Sequence, residues 1–123
     1  METQHIGATP GANLSQAVVA GDLVFTAGQV GVVDGELPDD IADEIAAAFD
    51  NLEAVLVQAG SSTADIVSAT CYVVDLADVP AMNAEYVRRI PEPRPARATV
   101  RADLIAPYRF EIQCTAVRRG GTA

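Results

Sequence analysis

The chain has 123 residues, half of them hydrophobic, which suits one domain with one core and leaves too little apolar material for two. Its 17 acidic residues outnumber the 8 basic ones, for a formal charge of −9; such a surface repels phosphate backbones, so neither nucleic acid nor an anionic membrane is an expected partner. No apolar run approaches the roughly 18 residues of a membrane span and no basic start with an apolar stretch opens the chain, so the expected location is cytoplasmic.

Residues 1–15 are polar and punctuated by Gly7, Pro10 and Gly11, the pattern of a short edge strand running into a loop. Two β-prone runs follow within residues 16–30, flanking Gly21 and Asp22, and glycine at the first central position predicts a type II′ hairpin turn. Gly28 ends the second run, where a missing Cβ lets another backbone or a ligand come close. Val33-Asp34-Gly35-Glu36 is a second turn signal. Pro38-Asp39-Asp40 opens the one long helix, with an acceptor at the N-cap and acidic residues where the helix dipole favours them. Ile41, Ile45, Ala48, Phe49, Leu52, Val55, Leu56 and Ala59 recur at the spacing of a single buried stripe, and Gly60 is placed to end the helix.

The β-branched run over residues 65–75 reads as an interior strand covered on both faces. Asp78-Val79-Pro80 begins a second helix that runs through Met82, Tyr86 and Val87 toward Ile90, and Pro91, Pro93 and Pro95 forbid its continuation. Strands over residues 96–102 and 109–117, joined by a loop, complete one α/β (α+β) domain spanning residues 1–123, with no internal repeat or linker. Two helices can cover only one face of the resulting four-to-six-stranded sheet. Ala98, Val100, Phe110, Ile112, Val73 and Val24 keep so many strand positions apolar that the second face is expected to pack against another copy of the chain; a polar face in water is the alternative.

Few residues offer chemistry. Cys71 and Cys114 lie far apart within strand-like runs and read as buried thiols rather than as a disulfide or a nucleophile. His5 is the single histidine, so no Ser-His-Asp or Cys-His arrangement and no cysteine-histidine metal cluster can be assembled. Gly28-Gln29-Val30-Gly31 lacks the lysine of a phosphate cradle, and no cofactor is expected. Arg97 is the unusual residue, at the head of a strand just after a proline-stiffened approach. Its guanidinium there is either a fork for a small carboxylate or an ordinary edge arginine paired with a nearby acid.

Five segments, Asn13-Leu-Ser-Gln-Ala-Val, Leu23-Val-Phe-Thr-Ala-Gly-Gln, Ala81-Met-Asn-Ala-Glu-Tyr, Pro95-Ala-Arg-Ala-Thr-Val and Phe110-Glu-Ile, resemble the Rid family, also known as the YjgF family, in order and over nearly the whole chain. The resemblance implies a chorismate-mutase-like fold with a mixed sheet and two helices on one face. It also implies a homotrimer with sites in the clefts between subunits, and hydrolysis of reactive enamines and imines such as 2-aminoacrylate to 2-keto acids and ammonia. By the same resemblance Arg97 clamps the substrate carboxylate, and Gly28 offers it a backbone N–H. Glu111 orients or activates water, helped by the Thr99 carbonyl, and Asn83 borders the site. The alternative for Glu111 is a salt bridge with Arg97, Arg101 or Arg109.

The chain departs from the family pattern at several of these places. Leu14 stands where deaminating members usually carry tyrosine, Ala27 where they carry serine, Thr99 where cysteine is common, and Gln113 where the last strand usually has a second glutamate. Asp103 is acidic where a small or basic residue is usual. Leu14 and Ala27 make the implied pocket more apolar, which leaves room for a second reading: a trimer that binds a small carboxylate without deamination, or that hydrolyses some other enamine. Ribonuclease activity, ascribed to some relatives, fits poorly with the charge.

Overall fold

The computed structural model describes residues 1–119. Strands β1 (Thr3–Ile6), β2 (Ala17–Ala20), β3 (Leu23–Thr26) and β4 (Gln29–Val30) precede helix α1 (Ile41–Gln58), and strand β5 (Ile66–Val73), helix α2 (Val79–Arg89), β6 (Ala96–Arg101) and β7 (Phe110–Val117) follow. They form a seven-stranded mixed sheet in the order β1-β2-β3-β7-β5-β6, with β4 pairing β7 beyond the end of β3. All pairings are antiparallel except β5 with β6, the two strands that α2 connects.

Local chemistry accounts for the element ends. Ala20 pairs with Leu23 across Gly21-Asp22, and Gly21 alone of the two central residues has positive φ, at 59°, as a type II′ turn requires. The Asp40 side chain accepts from the Ala42 N–H at the start of α1, a cap worth about 1 kcal/mol. Gly60, at φ 82°, leaves the other end in the left-handed conformation. Pro80 sits in the first turn of α2, and Arg94 closes its far end by donating from Nε and Nη2 to the carbonyls of Ile90 and Val87.

Both helices pack on one face of the sheet. Ile45, Ala48, Phe49, Leu52, Val55, Leu56 and Ala59 are buried, as their spacing predicts. Phe49 stacks on Phe110 of β7 with centroids 6.0 Å apart and meets Tyr86 of α2 edge-on at 6.2 Å. The stripe also carries Glu44, with no exposed surface, whose Oε1 accepts from Arg109 Nε at 2.6 Å and whose Oε2 accepts from the Arg109 backbone N–H at 2.8 Å.

Within one chain the helices leave the second face of the sheet uncovered. β5 is interior, with Ala69, Cys71 and Val73 buried under the helices, whereas Val67 is 47 % exposed and Thr70 and Tyr72 are half-buried. The apolar strand positions also divide by face. Val24, Val73, Phe110 and Ile112 belong to the core under the helices, while the open face carries Leu23, Phe25, Val67, Ala98 and Val100. The period-two alternation sends successive side chains to opposite faces, so a count of apolar residues summed over strands mixes the two.

Candidate functional site

Register decides which candidate residues can meet. Arg97 pairs with Ala69 and Thr99 with Cys71, so both side chains leave β6 on the helix side of the sheet, where β6, an edge strand, is exposed along its whole length. The guanidinium of Arg97 donates from Nη1 to Asn83 Oδ1 at 2.9 Å and lies over the Tyr86 ring at 4.6 Å from its centroid. Asn83 and Tyr86 are three residues apart on α2 and therefore share a face. Among the described residues Arg97 makes no ion pair, so the edge-arginine alternative, in which a local acid neutralises it, does not hold.

Behind this cluster lies Cys71, fully buried. Burial pushes its thiol up to about 11, with the Arg97 charge pulling weakly the other way. Cys114, hydrogen-bonded to the Thr26 hydroxyl, is likewise pushed up to about 11 by burial. Both are free buried cysteines, as expected.

Glu111 pairs with Tyr72 of β5 and Val30 of β4, which places it on the open face, opposite the side from which Arg97 leaves the sheet. It makes no ion pair among the described residues, and Arg109 is engaged instead by Glu44; the salt-bridge alternative for Glu111 is not observed. Its carboxylate lies directly against Gly28. A Cβ at residue 28 would sit 2.2 Å from Glu111 Oε2 and 2.5 Å from Cδ, so glycine here lets the Glu111 carboxylate lie against the backbone, and any side chain would push it away.

The break between β3 and β4 makes room for that approach. Thr26 Oγ1 accepts from the Cys114 N–H at 3.0 Å where the ladder is interrupted. The buried Gln29 donates from Nε2 to Gln16 Oε1 at 2.9 Å, and the Ala27 N–H donates to the Gln16 carbonyl. These bonds bind the segment carrying Leu14 to the one carrying Ala27 and Gly28. Leu14 is 56 % exposed. Asn51 of α1 holds the same region from below, donating to the carbonyls of Val30 and Val32.

The candidate residues thus fall into two separate groups in one chain. The first is Arg97 with Asn83, Thr99 and Tyr86, on the helix side at the β6 edge. The second is Glu111 with Gly28, Ala27 and the Leu14 segment, on the open face. Tyr86 was not among the candidates from sequence, although its three-residue offset from Asn83 on a helix is a usable signal. A depression of about 410 Å³ lined by Met1, Glu2, Thr3, Gln4, Val19, Gly21 and Arg118 lies beside the β1–β2 hairpin and includes none of these residues. No helix among the described residues is long and apolar enough to cross a membrane.

Comparison with known proteins identifies the family and the fold. The profile of the family described as Endoribonuclease L-PSP matches residues 6–118. A RutC family protein of Haemophilus influenzae is 41 % identical over 111 residues, covering 85 % of each chain. The 2-iminobutanoate/2-iminopropanoate deaminase of Escherichia coli is 37 % identical over 110 residues, covering 85 % of this chain and 86 % of that one. Among solved structures, a member of the YjgF protein family from Neisseria meningitidis superposes with a TM-score of 0.87 at 33 % identity, over 97 % of both chains.

Proposed function

The chain belongs to the Rid (YjgF, Endoribonuclease L-PSP) family, and from that premise we propose that it hydrolyses small reactive 2-imino acids to 2-keto acids and ammonia. The observation that carries the reading is Arg97: an exposed guanidinium, held by Asn83 and Tyr86 and neutralised by no acid among the described residues. Such a group is a fork for the substrate carboxylate. Relatives named as deaminases support the reaction class.

The reaction asks little of the protein. The imine carbon is already electrophilic, so catalysis consists of holding the carboxylate and positioning water. Glu111 accepts a proton from water as its oxygen bonds to the imine carbon and the C=N electron pair passes to nitrogen. Glu111 returns that proton to the nitrogen to complete the carbinolamine. A second proton then passes from the carbinolamine hydroxyl through Glu111 to the nitrogen as C=O forms and the C–N bond breaks, giving the keto acid and ammonia. Arg97 and Glu111 leave one sheet on opposite faces, so a site that uses both joins two copies of the chain. The apolar open face and the unpaired edge of β6 supply surface for such an assembly, in the proposed case a homotrimer. Leu14 and Ala27 direct the site toward substrates with apolar side chains.

Release of ammonia and keto acid from an imine generated in situ tests the reading. Wild type accelerates it and Arg97→Ala does not; equal rates for the two proteins refute deamination at this site. A carboxylate-binding role without turnover is the second reading, favoured by the loss of polar groups at Leu14 and Ala27. It would appear as a melting temperature raised by small carboxylates with no acceleration of any imine.

A further inference from the structure

Resting on the carboxylate-fork reading of Arg97, we propose that Tyr86 is a positioning residue: its ring is the seat that, together with Asn83, pre-orients the guanidinium and leaves the Nε–Nη2 edge for the substrate carboxylate.

The geometry is specific. The guanidinium carbon lies 4.6 Å from the Tyr86 centroid, and Nη1 is committed to Asn83 Oδ1 at 2.9 Å. A side-on bidentate pair with a carboxylate uses Nε and Nη2, the edge these two contacts leave alone. The seat itself is rigid. Tyr86 is 3 % exposed and meets Phe49 edge-on, at 6.2 Å and 79°, while Phe49 stacks on Phe110 at 6.0 Å. A column of three aromatic rings thus runs from β7 through the core and ends under Arg97.

The choice of an aromatic support has a chemical consequence. Arg88, Arg89, Arg94, Arg109 and Arg119 each pair with an Asp or Glu. An acid at the same place beside Arg97 would orient the guanidinium but also neutralise it. A ring face holds the cation by its quadrupole and leaves the full charge for an arriving anion. The Tyr86 hydroxyl is buried and has no hydrogen-bond partner among the described residues, so the ring, not the hydroxyl, is the working part. Cys71 behind the ring stays a neutral thiol, because burial pushes its pKa up.

The test compares wild type with Tyr86→Phe, which keeps the ring, and Tyr86→Leu, which removes it. The readouts are the NMR shifts of the Arg97 side chain, assigned through Arg97→Lys, and the Kd for 2-oxobutanoate, a stable keto acid whose binding requires no turnover. Stacking predicts Arg97 protons shifted upfield by the ring in wild type and in Tyr86→Phe. Tyr86→Leu returns them to the position of a free arginine and weakens the Kd about 3- to 10-fold. Unshifted Arg97 protons in wild type, no keto-acid binding, or equal losses in the Phe and Leu variants overturn the proposal. Should Tyr86→Leu unfold, the wild-type shifts and the unchanged Kd of Tyr86→Phe still decide it. Absence of imine turnover with this shift and Kd pattern intact refutes the deaminase reading while upholding the role of Tyr86.

Discussion

Gly28→Ala separates a change at the site from a change in the fold. The added Cβ would lie 2.2 Å from Glu111 Oε2, 2.5 Å from Cδ and 2.9 Å from Cγ, against the roughly 3.4 Å or more of ordinary carbon contact. The carboxylate must therefore retreat by about 1 Å, a misplacement on the order that costs a positioned catalytic group about 100-fold in rate. What moves is the free end of a half-buried side chain with no partner among the described residues, and Gly28 lacks the positive φ that would strain alanine. Folding stability should consequently change by less than about 1 kcal/mol, the range of an unstrained glycine-to-alanine exchange. Gly31→Ala is the control: its Cβ would lie 2.1 Å from the Glu44 backbone oxygen, so helix α1 itself must shift, at about 1–3 kcal/mol. Urea unfolding and steady-state imine hydrolysis on both variants read the two effects. The expected result is Gly28→Ala with wild-type stability and kcat down about 100-fold, and Gly31→Ala with stability lost. Gly28→Ala with unaltered kcat, or with stability lost as in Gly31→Ala, would refute the reasoning.

Arg109→Met leaves the buried Glu44 carboxylate without its ion pair and should destabilise the fold by about 3 kcal/mol in urea unfolding; Glu44→Met combined with Arg109→Met should recover much of that loss. The thiols of Cys71 and Cys114, each pushed up by burial to about 11 from an ordinary value of 9.0, predict alkaline sensitivity. A folded-state pKa above the unfolded one stabilises fully below pH 9, and that contribution is lost as pH rises from 9 through 11. Stability measured across that window should fall, and it should fall less in a Cys71→Ala, Cys114→Ala double variant. Neither thiol should react with iodoacetamide at pH 8 until the chain unfolds.

The elements were largely legible in the sequence because their signals are local. Gly21-Asp22 marks a turn by backbone conformation, residues 41–59 mark a helix by period, and Pro91, Pro93 and Pro95 mark an end by sterics. Glu44 follows Ile41 by three residues and precedes Ala48 by four, at the margin of the stripe, yet polarity hid it; its burial depends on Arg109, 65 residues away. The short strand β4 escaped because two residues carry no period. Arg97 stood out by its place at the head of a strand and Glu111 through family resemblance, but their placement on opposite faces was not legible. Alternation fixes faces within a strand, and comparing two strands requires a register that only the β5–β6 and β5–β7 ladders supply. The support of Arg97 by Tyr86 likewise depends on where α2 lies over the edge strand.

The division of Arg97 and Glu111 between two faces gives the central claim its most direct measurement. Arg97→Ala and Glu111→Gln, each inactive alone, are unfolded together in equal amounts, refolded as mixed assemblies, and assayed for imine hydrolysis. If one copy supplies the guanidinium and its neighbour the carboxylate, random mixing restores intact sites at about one quarter of the wild-type number, and activity returns to that level. A mixture as inactive as its components would contradict a site built from two copies of the chain.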